Sequence, residues 1–223
     1  MRANHHRPAW LLRLGPLISA TCGVVAATSV ASCSAQSEEH PSGTAPSTTV
    51  VNTTAAPSQL RWDTYRGVRL PRSRIDGPTH SGVVDTGYKQ TPQGAALAAI
   101  RGQAYLALAD DDEWGKVVSI VTAPGPGRDA FAAQRAPLTV SGVVPADQAP
   151  RFVAFKIDHY SSSEPITAAA RVVTETGSPS RTFAYPVALQ WLADDWRIVL
   201  PTAEETIDAV ELTSLDGYTR LES

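Results

Sequence analysis

Residues 183–200 read FAYPVALQWLADDWRIVL, and this stretch decides the fold because its apolar side chains recur at every second position. A period of two is typical of a β-strand with one face on a core. The run Ala193-Asp194-Asp195 interrupts the period and predicts a turn between two antiparallel strands. Pro186 predicts a sheet edge or a bulge, because proline donates no backbone hydrogen bond. The alternating side chains are Phe183, Tyr185, Val187, Leu189 and Trp191, then Trp196, Ile198 and Leu200.

Two further runs with a period of two precede this hairpin, from Val153 to Ile157 and from Ile166 to Val172. Together with the hairpin they predict a meander of about four antiparallel strands. The tail that follows, residues 202–223, is acidic, and its apolar side chains include Val210, Leu212 and Leu215. These side chains either add a last strand or lie over the surface, and the sequence leaves both alternatives open.

Upstream of these strands the apolar side chains recur at steps of three and four, which predicts helices. Thr91 suits the N-cap of a first helix, and Pro92 suits its first turn. A second helix is predicted from near Asp110, because Glu113 follows three residues later as in a capping box. A third, short helix is predicted over residues 128–135.

Helices followed by a strand meander are the order of an α+β fold. The sequence therefore predicts three N-terminal helices packed on a curved antiparallel sheet of about four strands. A single domain of this kind is expected over residues 61–201. Its first part, residues 62–89, is rich in glycine and proline and predicts an irregular arm.

The N-terminus has the order of a signal peptide, predicted over residues 1–32. Arg2, Arg7 and Arg13 precede an apolar stretch, and small residues follow it. The tetrad Val30-Ala31-Ser32-Cys33 resembles the bacterial lipobox, in which the cysteine is acylated and becomes the new N-terminus. The alternatives are an ordinary secretory signal cut near Ala31 and a retained membrane helix, for which the stretch carries too much glycine, proline, serine and threonine.

Residues 33–60 are predicted to be a lipidated Cys33 followed by a tether rich in serine, threonine and proline. Such a stretch buries too little apolar surface to offset the entropy of ordering, so disorder is expected. Removing residues 1–32 takes away three arginines and no acid, so the net charge of −3 becomes −6. A negative domain gains nothing from anionic headgroups. The expected attachment to the bilayer is therefore the lipid on Cys33, on the extracytoplasmic face of the cell membrane.

Composition excludes several classes of function. The chain has no basic stripe at a sequence pI of about 5.9, so a nucleic-acid partner is not expected. Its two cysteines, Cys22 and Cys33, both precede the predicted domain, so no disulfide or cysteine-based metal site is expected there. No phosphate-binding or dinucleotide fingerprint is present, and no cofactor is expected.

Two short runs contain candidate metal-binding or acid–base side chains. The four consecutive acids Asp110-Asp111-Asp112-Glu113 lack the spacing and glycine of a calcium loop, and they favour a helix start over a metal site. The run Asp158-His159-Tyr160 offers an acid, a base and a phenol. Neighbouring residues of a strand face opposite sides, which disfavours an acid–base pair. No catalytic residue and no metal ligand is therefore assigned.

Two resemblances extend this interpretation. The pattern Val187–Leu200 resembles the last hairpin of nuclear-transport-factor-2-like folds, a cone shape shared with periplasmic assembly subunits of type IV secretion systems. Such cones often hold a pocket between helix and sheet. The stretches Gly67–Pro71, Gly77-Pro78 and Gly87–Ala99 resemble an uncharacterised actinobacterial family, whose members are often lipoproteins or found with mobile elements. The residues expected around a pocket of this kind are Tyr105, Phe155, His159, Tyr185, Trp191 and Trp196.

Three functional hypotheses follow. The first is a lipid-anchored, non-catalytic domain that works by protein contact or assembly in the cell envelope, in a conjugation or mobile-element apparatus. The second is a small-ligand-binding envelope protein of the nuclear-transport-factor-2-like kind. The third is a pocket enzyme that uses Asp158, His159 or Tyr160.

Overall fold

A computed structural model of the chain describes residues 51–205 and 207–222. The predicted signal segment, Cys33 and the first part of the tether lie outside these residues. In chain order the elements are β1 (Leu60–Tyr65), β2 (Val68–Ser73), α1 (Pro92–Leu108), α2 (Trp114–Val121), α3 (Pro126–Arg135), β3 (Arg151–Ser161), β4 (Thr167–Thr176), β5 (Arg181–Leu192), β6 (Asp195–Val199), β7 (Val210–Leu212) and β8 (Thr219–Arg220).

A β-hairpin opens the described part of the chain. Strands β1 and β2 pair antiparallel from Leu60↔Ser73 to Tyr65↔Val68, so only Arg66 and Gly67 remain in the turn. Both turn residues have positive φ, 45° and 87°. Positive φ at both central positions matches the right-handed twist of the flanking strands in a two-residue hairpin. The segment predicted as an irregular arm is therefore, in its first part, a two-stranded sheet.

The predicted architecture of three N-terminal helices on a sheet of about four strands is wrong. The three helices come after the β1–β2 hairpin and lie in the middle of the chain. The main sheet has six strands, in the order β6-β5-β4-β3-β8 with β7 pairing β5. The extra strands β7 and β8 belong to the polar tail and contain three and two residues. Strands this short show no period of their own, so the sequence left open whether the tail adds a strand.

Strand β5 shows how the main sheet accommodates its proline. On one side β5 pairs with β4 along ten residues. On the other side β6 pairs with Ala188–Leu192 and β7 with Thr182–Ala184. Pro186 lies between these two paired stretches, where a missing N–H leaves no ladder bond unmade on that edge. Strand β5 is thus an interior strand and not an edge strand, one of the two alternatives predicted from Pro186, but its pairing with β6 and β7 is interrupted around the proline.

Helix α1 packs on one face of the main sheet and forms the centre of the core. It begins as predicted: the Thr91 side chain accepts a hydrogen bond from the Gly94 amide at 3.0 Å, and Pro92 occupies the first turn. Its residues from Ala95 to Ile100 are buried without interruption. A Cβ atom on Gly102 would lie 2.6 Å from Ile198 Cδ1, so α1 and β6 approach closely here and a larger residue would require the Ile198 side chain to shift.

The opposite face of the main sheet carries a second, smaller apolar cluster. Ala154, Val173 and Ala184 are buried there, and Leu212, Leu215 and Tyr218 of the tail pack against them. The tail therefore covers a sheet face in addition to adding strands. Among the described residues, no helix has the length and hydropathy needed to cross a bilayer.

The capping-box pattern predicted that the acidic run between α1 and α2 starts a helix with a side-chain cap. The structure shows no such cap. Helix α2 begins at Trp114, and no side chain caps it. Asp110 and Glu113 instead accept hydrogen bonds from Arg66 of the hairpin turn, and Asp111 pairs with Arg135 at 2.9 Å. The predicted second helix is present but begins at Trp114, later than predicted, and the carboxylates bond distant arginines instead of capping it.

Candidate functional site

The six side chains expected around a pocket lie in different environments. Tyr105 and Trp196 line one cavity of about 10 Å³, which has room for about one water molecule. Phe155 and Tyr185 are buried side chains of the main sheet, and burial raises the pKa of Tyr185. His159 is exposed. The structure thus brings only part of the set together, and the space it leaves there is far below the size of an organic ligand.

Trp191 and Trp196 form an edge-to-face pair with ring centroids 5.4 Å apart, and Tyr160 lies 6.0 Å from Trp196. The polar ends of this group hold the segment that leads into α1. Trp196 Nε1 donates to the Lys89 carbonyl at 2.9 Å, and the Tyr160 hydroxyl donates to the Gln90 carbonyl at 2.8 Å. These aromatic side chains therefore fix the entry to α1.

The run Asp158-His159-Tyr160 does not converge on a common point. Asp158 accepts a hydrogen bond from Arg171 Nε at 2.7 Å and lies 3.5 Å from Lys156 Nζ. The pairing of β3 with β4 shifts by one residue between Ile157 and His159, which marks a bulge at Asp158. With Tyr160 bound at the α1 entry, the acid and the phenol are engaged in two separate contacts.

A buried arginine is the most deeply placed charge among the described residues. The side chain of Arg101, on α1, is 2% exposed. Its Nη1 donates to Asp63 Oδ1 at 2.8 Å and to the Pro71 carbonyl at 3.3 Å. Its Nη2 donates to Asp85 and, at 2.8 Å, to the Tyr105 hydroxyl, which also accepts from Nε at 3.0 Å. All the guanidinium nitrogens are hydrogen-bonded, as a buried charge requires.

The surroundings of this centre keep Arg101 charged and Tyr105 neutral. Burial by itself lowers the pKa of Arg101, but Tyr88, Tyr105 and Asp63 around it raise the pKa above the ordinary arginine value. Burial raises the pKa of Tyr105 to about 12, and Arg101 opposes this shift. At neutral pH the arginine is therefore a cation between two carboxylates, with a protonated tyrosine beside it.

The buried acid Asp195 lines the same small cavity as Tyr105 and Trp196. Asp195 accepts backbone hydrogen bonds from Gly87 at 2.8 Å, from Tyr88 at 3.1 Å and from Trp196 at 2.9 Å. These bonds tie the segment before α1 to the start of β6. Arg101 and Asp195 thus use their hydrogen-bonding capacity inside the fold, and neither is directed at open space.

A second opening in the described structure lies at the hairpin and is lined by arginines. This groove has a volume of about 360 Å³ and is lined by Arg61, Arg72, Ser73, Arg74, Pro78 and Thr79. Arg61 and Arg72 lie directly opposite each other across β1 and β2. Like charges in this position destabilise a strand pair. We call this opening the arginine groove.

The arginines of the hairpin segment differ in how they are neutralised. Arg66 pairs with Asp110 and Glu113, and the Arg69 guanidinium stacks 5.2 Å from the Trp62 ring centroid. Arg72 lies 3.4 Å from Asp63, an acid that it shares with Arg101, and donates to the Pro78 carbonyl at 3.1 Å. Within the described residues, Arg61 and Arg74 form no ion pair. The groove therefore carries an excess of positive charge.

The buried Asp76, which bonds the groove-lining Ser73, forms no ion pair with an arginine of the groove among the described residues. Asp76 accepts hydrogen bonds from the Ser58 amide at 3.2 Å, from the Ser73 hydroxyl at 3.1 Å and from the Thr91 hydroxyl at 3.3 Å. Both of its oxygens thereby accept hydrogen bonds from other groups of the fold. The groove arginines without an ion pair suit a multiply charged anion with oxygen acceptors, because guanidinium groups bind phosphate and carboxylate with paired hydrogen bonds.

Reasoning from the sequence missed the arginine groove. The signal was present, since residues 60–74 contain five arginines and one aspartate. It was hidden because the charge was summed over the whole chain, in which the acids outnumber the basic residues. Arg101 was missed as well, although it is a lone charge on the apolar face of α1. In the part of the chain that the structure describes, no three histidine, cysteine or acidic side chains are grouped to hold a metal ion.

The chain matches a protein-family model. The model of a family described as "Domain of unknown function (DUF8175)" matches residues 24–220, which is most of the chain. The match includes the tetrad that ends at Cys33 as well as the hairpin, the helices and the main sheet. No curated protein and no solved structure matches the chain.

Proposed function

The chain belongs to this DUF8175 family, and we propose that it is a lipoprotein anchored at Cys33 on the extracytoplasmic face of a membrane. The proposal is carried by one observation: Val30-Ala31-Ser32-Cys33 follows a basic start and an apolar stretch. A signal peptide needs this order, and acylation of the cysteine needs this tetrad. The family match supports the proposal because it spans Cys33 and the folded residues together.

The folded part, in this proposal, acts by contact and not by catalysis. Two features support a contact role. The acid–base groups Asp158 and Tyr160 are each engaged in a different structural contact. The buried charges Arg101 and Asp195 are saturated by protein partners. The exposed, incompletely neutralised feature is the arginine groove, which is the contact surface that the geometry favours.

The anchor is tested on protein isolated from membranes of the native host. Intact-mass analysis is expected to show a chain that begins at Cys33 and is heavier than the unmodified polypeptide by a lipid with more than one acyl chain, which stable anchoring requires. The variant Cys33→Ser should keep its signal segment or leave the membrane fraction.

The matched control is Cys22→Ser, which removes the other cysteine of the same segment and should leave mass and membrane attachment unchanged. A chain that begins near Ala31 and carries no lipid would overturn the anchor in favour of ordinary secretion. An intact Met1 with two unmodified thiols would overturn export as well.

A further inference from the structure

We propose that the arginine groove binds the phosphate groups of anionic phospholipids, so that the folded domain docks on the membrane surface. This inference rests on the proposed anchor for its setting, because the anchor determines which polyanion is near. It deepens that proposal by naming the partner of the contact surface. The prediction from net charge alone was the opposite, namely that anionic headgroups do not attract this domain.

The first argument is the placement of charge. Three guanidinium groups line one opening, and two of them lie in direct cross-strand register. Among the described residues, the one acid paired with any of them is Asp63, at 3.4 Å from Arg72, and Asp63 is bound more closely by Arg101. A phosphate between Arg61 and Arg72 relieves their repulsion and accepts hydrogen bonds from both.

The second argument is the distance along the chain. Val51, the first described residue, lies 18 residues after Cys33. A chain of that length spans at most roughly 65 Å. Arg61 is the first arginine or lysine after Cys33, and it lies in the first strand of the fold. An anchored domain therefore carries its groove on the element that follows the anchor, within constant reach of the headgroups.

The third argument is the strength that is needed. An arginine near an anionic membrane surface improves binding about fivefold, and three of them about a hundredfold. Such binding is weak for a free protein in solution. For a tethered one it suffices, since the linker holds the local concentration of the partner high. The groove then orients the domain, and the lipid retains it.

The test uses the protein that begins at residue 33, with Cys33→Ser, so that binding is measured without the acyl anchor. Its partition onto vesicles of phosphatidylcholine alone is compared with partition onto vesicles that also contain phosphatidylglycerol, at low ionic strength. Binding is expected on the phosphatidylglycerol vesicles, and it should weaken as salt is added.

The decisive variant is Arg61→Gln with Arg74→Gln, which removes the two groove arginines that form no ion pair among the described residues. Partition onto the anionic vesicles should fall about 25-fold. The matched control is Arg128→Gln with Arg197→Gln, which changes the net charge equally on α3 and β6 and should alter partition by less than about threefold. Urea unfolding of each variant verifies that the fold is retained.

Three outcomes would overturn the docking site: no preference for phosphatidylglycerol, an equal loss in the decisive and control variants, or binding that inorganic phosphate abolishes at concentrations too low to screen charge. The last outcome would assign the groove to a small soluble anion. None of these outcomes bears on the anchor, which is tested separately by the mass of the N-terminus.

Discussion

Arg101 shares one acid, Asp63, with Arg72 of the arginine groove, and it differs from the groove arginines in almost every other respect. Arg101 is buried on α1, and its guanidinium is enclosed by two carboxylates, a phenol and a carbonyl. Arg61 and Arg74 are exposed and form no ion pair among the described residues. A buried charge must be matched within the fold, because desolvation is costly. An exposed charge that the fold leaves unmatched remains available to a partner.

The comparison predicts its largest effect at Arg101. The substitution Arg101→Met removes the donor that Asp63 and Asp85 share. It leaves Asp85 without an ion pair among the described residues and Asp63 with only the longer contact to Arg72. The free energy of unfolding in urea should fall by about 3–5 kcal/mol, the usual cost of breaking a buried ion pair on one side. Loss of cooperative unfolding would be the extreme form of the same result.

The control for this substitution is Arg171→Met. Arg171 also bonds a carboxylate, Asp158 at 2.7 Å, but its side chain is 44% exposed. Exposed pairs contribute about 0–1 kcal/mol, so the change should be small. Similar losses for the two variants would contradict the division between structural and available arginines.

A smaller effect is predicted at alkaline pH, through Tyr105 of the Arg101 centre. Burial raises the pKa of Tyr105 to about 12, whereas an unfolded tyrosine ionises near its ordinary value of 10. Between these values the unfolded chain releases a proton that the folded chain retains, so stability falls as the pH rises. Below pH 10 Tyr105 contributes no pH dependence.

The loss attributable to Tyr105 is about 2–3 kcal/mol between pH 10 and 12. It is measured by urea unfolding of the wild-type protein and of Tyr105→Phe at several pH values. The variant is expected to start less stable, because Arg101 loses a hydrogen-bond acceptor, and then to lose less stability with pH. Parallel pH profiles for the two proteins would show that Tyr105 ionises as freely as a solvated phenol.

The sequence predicted the parts of the fold that rest on long periods and local chemistry. The helix start at Thr91 and Pro92 is confirmed, and so is the hairpin around Asp194, because each depends on neighbouring residues. The first hairpin was missed because its turn, Arg66-Gly67, lacks the asparagine or aspartate that usually marks such turns. Its strands also carry arginines where an apolar alternation was sought.

The candidate site was harder to predict because it depends on contacts between distant residues. Nothing local shows that Asp63 and Asp85 flank Arg101, 38 and 16 residues away along the chain. The register that places Arg61 opposite Arg72 follows only once the hairpin is known. Net charge calculated in short sequence windows would have identified the basic hairpin. Which of its arginines form ion pairs can be read only from the folded structure.

The smallest predicted effect sharpens the comparison within the hairpin itself. Arg61→Gln removes the like-charge contact with Arg72, so the free energy of unfolding should rise by about 0.2–0.5 kcal/mol at low salt. The gain should vanish in 1 M salt, where screening acts within roughly 3 Å.

Arg69→Gln is the matched variant on the other face, where Arg69 stacks on Trp62. It should lose about 0.5–1 kcal/mol instead, since an exposed cation–π contact is removed. Changes of opposite sign in the free energy of unfolding would show that Arg69 stabilises the fold and that Arg61 destabilises it. A loss of stability at both positions would mean that Arg61 also stabilises the fold.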